Sequence, residues 1–292
     1  KRGYVAAAVT YRMGWNPLST VEEVRTGTLI NAAYRGVQDA HTCVRYFNKD
    51  AATSNVYKVD SNKIALGGIG TGGYISLAFA YFDKNPELEL TKFIDFSQNP
   101  PKPFIDVAMS GDFKGTVSAP LNTPSNLGYT SNVNMVFNCG GALGDSTWLE
   151  AGNVPVVAFH CTNDPYAPYT TGNVIVPTTG AFVVEASGSY DVVRRANNSA
   201  FGNNNNILKQ GVYNDVYSAR ANTINDGYEG LYPFVTPTPS PAITCNLILL
   251  PAQEQSAPWD WWDEPTYKAT IAAYNSLGYT DQDPDTMACN AK

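Results

Sequence analysis

Residues 64–76 read IALGGIGTGGYIS, and their spacing suits covalent chemistry better than any other stretch of the chain. Residues 64–67 read as a short buried strand and residues 74–82 (YISLAFAYF) as a buried helix, with a glycine-crowded turn between them. A strand, a tight turn and a helix are the setting in which G-x-S-x-G presents a serine nucleophile. Glycines at its ends let the backbone turn sharply and let helix and strand approach closely. The flanking glycines here are Gly68, Gly72 and Gly73, and Gly70 stands at the centre, where the serine would be. Glycine has no side-chain atom with which to attack. Thr71 carries a hydroxyl one position later, but in that register Ile69 would occupy the first glycine position and break the turn. A nucleotide-binding loop fits worse, because the run scans poorly as G-x-G-x-x-G and no P-loop lysine follows.

Four runs appear in a telling order: GYVAAAVTYRMGW at residues 3–15, a helix ending in VRYF at 44–47, IALGGIGTGGY at 64–74, and VPVVAFHCTNDPYAPY at 154–169. With these the chain resembles a carboxylesterase-like α/β-hydrolase, well over residues 1–170 and loosely beyond. The resemblance implies a mostly parallel sheet with helices on both faces. It also implies a triad in the chain order serine, acid, histidine, in which the histidine takes the serine proton and the acid orients the imidazole. HCTNDPYAP is similar to the family's H-G-x-x-D-x-x-V-P, so the resemblance makes Asp164 the match to the acid. Cys161 stands where the family has glycine, and Ala167 replaces valine. The base is implied in the loop after the last strand, residues 252–258 (AQEQSAP), where Gln255 stands and no histidine does. The triad positions read as vestigial: Gly70, Asp164 and Gln255. Of the two histidines, His160 lies in the strand-end motif as a structural residue, and His41 lies on the apolar stripe of a helix as a core residue. No H-G-G-G-type oxyanion segment occurs in the sequence.

Composition bounds the partners. The 292 residues carry a formal net charge of −7, which argues against nucleic acid and anionic membranes. No run is long and apolar enough to span a bilayer. Only 15% of residues are charged, while Asn, Thr, Ser, Gly and Tyr are plentiful, a surface typical of secreted proteins. Five cysteines (43, 139, 161, 245 and 289) show no C-x-x-C spacing, so no zinc site is expected. Cys139 and Cys161 both follow expected strands, which leaves open a disulfide in an oxidising compartment or two buried thiols. Asp281, Asp283 and Asp285 alternate as in a calcium loop but lack its glycine and glutamate, and no cofactor is implied. Lys1 stands directly before a strand-like run, so a processed or partial piece of a longer chain is expected.

Taken in order, residues 4–11 (YVAAAVTY) read as a central parallel strand buried on both faces. Residues 28–47 have helical periodicity through Ile30, Ala33, Tyr34, Val37, His41 and Val44. Residues 103–111 (PFIDVAMSG), 134–138 (NMVFN), 154–159 (VPVVAF) and 245–250 (CNLILL) read as strands, and 191–196 and 264–276 as helices. Residues 170–244 are expected to be an irregular insertion or cap on a single domain spanning 1–292. Trp259, Trp261 and Trp262 read as a packing cluster, with a sugar-stacking platform as the alternative.

The expectation is a secreted or cell-surface α/β-hydrolase-like protein without hydrolase chemistry, working as a surface, assembly or binding component for proteins or glycans. The alternatives are an active esterase with a non-standard site and a carbohydrate-binding protein derived from an esterase.

Overall fold

The computed structural model describes residues 3–209, 212, 215–235, 243–245, 248–250, 264–278, 281 and 283–285. In chain order these form α1 (Glu22–Ala52), β1 (Ala65–Ile69), α2 (Thr71–Tyr81), β2 (Ile94–Asp95), β3 (Lys102–Pro103), α3 (Val107–Ser110), β4 (Met135–Cys139) and β5 (Val156–Cys161). There follow β6 (Gly172–Ile175), β7 (Phe182–Ala186), α4 (Ser189–Ala196), α5 (Val216–Ala221), β8 (Leu231–Phe234), β9 (Ile243–Cys245), β10 (Ile248–Leu250) and α6 (Glu264–Ser276).

The central sheet runs β1-β4-β5-β8. β1 pairs with β4, and β4 with β5, both parallel. Parallel neighbours need a crossover, and α2 begins the one between β1 and β4. α2 is apolar all round, so it is buried: Ile75, Leu77, Phe79 and Tyr81 are all inside. α1 buries Tyr34, Val37, Ala40 and Val44 along one stripe, as its periodicity predicts. It is longer than the periodicity alone suggests, because Glu22 and Glu23 favour its first turn and the chain stays helical to Ala52. Buried polar groups on α1 find backbone carbonyls: Arg25 reaches Ser19 and Phe182, Thr26 reaches Val183, and Gln38 reaches Gly111. Each such bond avoids the roughly 1–3 kcal/mol cost of an orphaned buried donor.

Three expectations are corrected. Residues 4–10 form no strand and lie exposed, with Tyr4 at 86% and Val5 at 53% exposure. The run has strand composition, but among the described residues no ladder partner satisfies its backbone, and composition alone does not make a strand. Residues 103–111 contribute only the end of β3, which pairs antiparallel with β2, and then turn into α3, whose first turn is capped by Asp106. Residues 245–250 do not close the central sheet. β9 and β10 pair with each other antiparallel, and the fourth sheet strand is β8, over the sequence LYPF. Pro233 hides β8 in the sequence, since proline belongs on edge strands, which is where β8 lies.

The chain forms two compact units, residues 1–160 with 166–233, and residues 161–165 with 234–292. The first holds most of the sheet, the elbow and the β6–β7 hairpin; the second holds the turn after β5, the β9–β10 pair and α6.

Candidate functional site

The elbow forms as its glycines require. Gly70 takes φ +54° and ψ −116°, a conformation that L side chains rarely adopt, between Ile69 of β1 and Thr71 of α2. Its N–H donates to the Cys139 carbonyl at 2.8 Å, and its own carbonyl accepts from Gly73 and Tyr74 at 2.9 and 3.2 Å. A Cβ on Gly68 would strike the backbone of Gly72, and one on Gly73 would strike the Asn138 side chain. A Cβ on Gly70, by contrast, meets nothing within 4 Å. The turn therefore keeps the space that a nucleophile's side chain would need, and no side chain fills it.

Asn138, fully buried at the end of β4, pins the turn from below. Its amide nitrogen donates to Gly141 O at 3.0 Å and to Ser189 Oγ at 2.8 Å, while its oxygen accepts from Gly141 N at 2.9 Å. The same Ser189 hydroxyl lies 2.7 Å from His160 Nδ1. His160 Nε2 is 3.2 Å from the Ala167 carbonyl, which can only accept, so Nε2 carries the proton and Nδ1 accepts from Ser189. This Ser–His contact has the form of a nucleophile and its base, but both residues are 0% exposed, out of reach of any substrate. Sequence reasoning missed Ser189, because no G-x-S-x-G surrounds it.

The sequence-predicted residues separate into three groups. Gly68, Gly70, Thr71, Gly72 and Gly73 come together at the elbow. Asp164 lies half-buried in the turn after β5, in the second unit, with its N–H donating to Cys161 O at 3.3 Å. Gln255, the loop 252–258 and the three clustered tryptophans lie outside the described residues. His41 is held between Phe79 and Phe113, ring centroids 4.2 and 4.8 Å away, with Nδ1 2.9 Å from Ser131 Oγ. Burial, and after it the Arg45 charge, pushes its pKa down to about 3. A neutral core imidazole on α1 serves no elbow chemistry.

Beside the elbow lies a cavity of about 390 Å³, wholly within the first unit. Tyr11, Trp15, Tyr34, Trp148 and Val184 are among its walls, and Gly70 and Thr71 stand at its edge. Its lining includes one charged side chain, Arg12, whose guanidinium is engaged by Asp39 at 2.7 Å. Tyr11 Oη and Thr71 Oγ1 are 2.8 Å apart, with Thr71 one residue beyond Gly70. No sequence signal marks this pair, because residues 4–11 read as a buried strand.

Of the two readings left open for Cys139 and Cys161, the disulfide is not made. Cys43 and Cys161 are free thiols. The β4–β5 register sets Phe159, not Cys161, opposite Cys139, so the two cysteines are not ladder partners. Burial, with Asp164 behind it, pushes the Cys161 thiol up to about 11, the inert end of cysteine reactivity. Among the described residues no group of His, Cys, Asp and Glu is arranged to hold a metal, and no helix is long and apolar enough to cross a membrane.

No protein-family model and no curated protein matches the chain. Among solved structures it is similar to esterase 2 of Thermogutta terrifontis phosphorylated by paraoxon, with 18% identity, a TM-score of 0.28, and 47% of this chain and 44% of that one covered. The butyrate-bound esterase Est2 from the same organism matches at 15% identity and a TM-score of 0.28, covering 47% of both chains. The chain thus spans less than half the length of these esterases.

Proposed function

We propose that this protein does not hydrolyse esters through a serine acyl-enzyme, and that it holds a small apolar molecule in the cavity beside its elbow. Gly70 carries this reading: the strained turn and the open space are kept, and the attacking oxygen is absent. The cavity volume falls in the ordinary range for small-molecule sites and accommodates roughly a dozen non-hydrogen atoms at ~30 Å³ each. A weakly charged, polar composition supports a secreted or surface-bound binding component.

The test is calorimetric titration of the protein with a series of n-alkanols. Affinity is expected to rise about fourfold per methylene until the cavity is full, then to level off. Ala78→Trp, on the cavity wall, takes up part of the space and should weaken binding of the longer alkanols while far-UV circular dichroism stays native. Binding that ignores both chain length and Ala78→Trp contradicts the proposal.

A second reading rests on the Tyr11–Thr71 contact. In an active hydrolase the Thr71 hydroxyl would attack, and Tyr11 would have to give up its own proton first to take that of Thr71 as a phenolate base. Mapping of a covalent adduct to Thr71 distinguishes the two.

A further inference from the structure

A second recess, of about 490 Å³, lies at the C-terminal end of α4 and shares no lining residue with the elbow cavity. It sits wholly within the first unit. Its polar groups are fixed from behind. Arg195 Nε donates to Leu149 O at 2.7 Å, Nη2 reaches Thr147 O at 3.4 Å, and the guanidinium lies 3.5 Å over the Phe201 ring. Asp191 accepts from the Thr171 N–H and hydroxyl at 2.6 and 2.8 Å, and its other oxygen pairs with Arg194 at 2.7 Å. Asn197 is held by Glu229 N and O and by Val193 O. Arginines on a solvated surface ordinarily keep their rotamer freedom, whereas here the donors and acceptors are pre-set, which lowers the ordering cost of a ligand. Tyr228 closes one side as the last ring of a row with Tyr190 and Tyr169, consecutive centroids 5.6 Å apart.

Both cations of the recess are engaged within the protein. Arg194 is paired with Asp191, and the Arg195 guanidinium is taken up by the Leu149 and Thr147 carbonyls and the Phe201 ring. A phosphate or carboxylate would have to compete with these partners. What remains is a set of fixed donors and acceptors beside an aromatic face, with the Ser146 and Ser199 hydroxyls at its edge. Sugar hydroxyls both donate and accept, and the C–H face of a pyranose packs on an aromatic ring.

We propose that this recess binds a neutral carbohydrate, placed against Tyr228 and hydrogen-bonded by Arg194, Asp191 and Ser199. Its volume fits roughly sixteen non-hydrogen atoms at ~30 Å³ each, between one hexose and a disaccharide. The site is independent of Gly70 and of the ligand in the elbow cavity.

The experiment is a ¹⁵N–¹H titration of the full chain with glucose, galactose, mannose, N-acetylglucosamine, maltose and cellobiose, and with glucose 6-phosphate and glucuronate as anionic counterparts. At least one neutral sugar should shift amides of residues 191–201 and 228, more tightly than either anion. Ser199→Ala should weaken it about 2- to 10-fold, the worth of one hydrogen bond, with unchanged thermal stability. Tyr228→Leu should weaken it further. No shifts in this region with any neutral sugar up to its solubility limit overturns the proposal. So does tighter binding of the anions that disappears in Arg194→Gln.

Discussion

Gly68→Ala is expected to cost about 3 kcal/mol or more of folding stability, while Gly72→Ala leaves the protein unchanged or up to ~1 kcal/mol more stable. Both lie in one turn, four residues apart in sequence, and a methyl group is added in each case. At Gly68 the new Cβ runs into the carbonyl and Cα of Gly72, backbone that is held by β1 on one side and α2 on the other and cannot give way. At Gly72 a Cβ meets nothing within 4 Å, and the residue is already in the first turn of α2. Alanine there lowers the entropy of the unfolded chain and favours the helix. Urea unfolding of the two variants beside the natural protein, with equal denaturant slopes, reads the difference. Equal losses at both positions would mean that the glycines do not mark a close strand–helix approach.

Acid is expected to unfold the natural protein more steeply than a His41→Phe variant. The pKa of His41 is depressed in the folded state, to about 3 from an ordinary 6.5, because its ring lies between Phe79 and Phe113 near the Arg45 charge. The folded protein therefore resists a proton that the unfolded chain accepts. The associated stability is present above the unfolded pKa of about 6.5 and is lost as pH falls from there towards 3. Between pH 6.5 and 4.5 this group alone accounts for on the order of 2–3 kcal/mol, at 1.36 kcal/mol per pH unit. Carboxylates contribute their own acid sensitivity to both proteins, so the difference between the two stability–pH curves isolates the imidazole. Parallel curves over that window would mean that His41 is solvated and titrates normally.

The elbow was legible in the sequence because its constraints are local. Gly68 answers a steric demand four residues on, Gly70 takes a positive φ, and the apolar run of α2 follows at once, whereas Gly73 makes room for the distant Asn138. β4 and β5 were legible as short apolar runs, and α1 through its periodicity. Residues 4–10 misled, because strand composition does not reveal whether an edge is available to pair with. β8 was hidden by Pro233, and the β9–β10 pair looked like one strand because the two segments run on in sequence. At the site, the contacts that matter most join residues far apart in the chain: Tyr11 with Thr71, and Asn138 with Ser189 and His160. No periodicity or spacing encodes these pairs; only the packing of α2 and α4 against the sheet brings them together.

The proposal that serine chemistry is absent is tested most directly by incubating the natural protein with a fluorophosphonate, then measuring intact mass and mapping peptides. The expected result is no stoichiometric adduct, since Gly70 offers no oxygen and the Ser189–His160 pair is sealed inside the protein. Gly70→Ser is expected to remain unlabelled as well. The new hydroxyl would fit the open space but take a strained φ at a cost of about 1–3 kcal/mol, and the imidazole of His160 is occupied by Ser189 and Ala167. One adduct per chain on the natural protein, at Thr71 or any other residue around the elbow, would contradict the account and establish a working nucleophile beside the cavity.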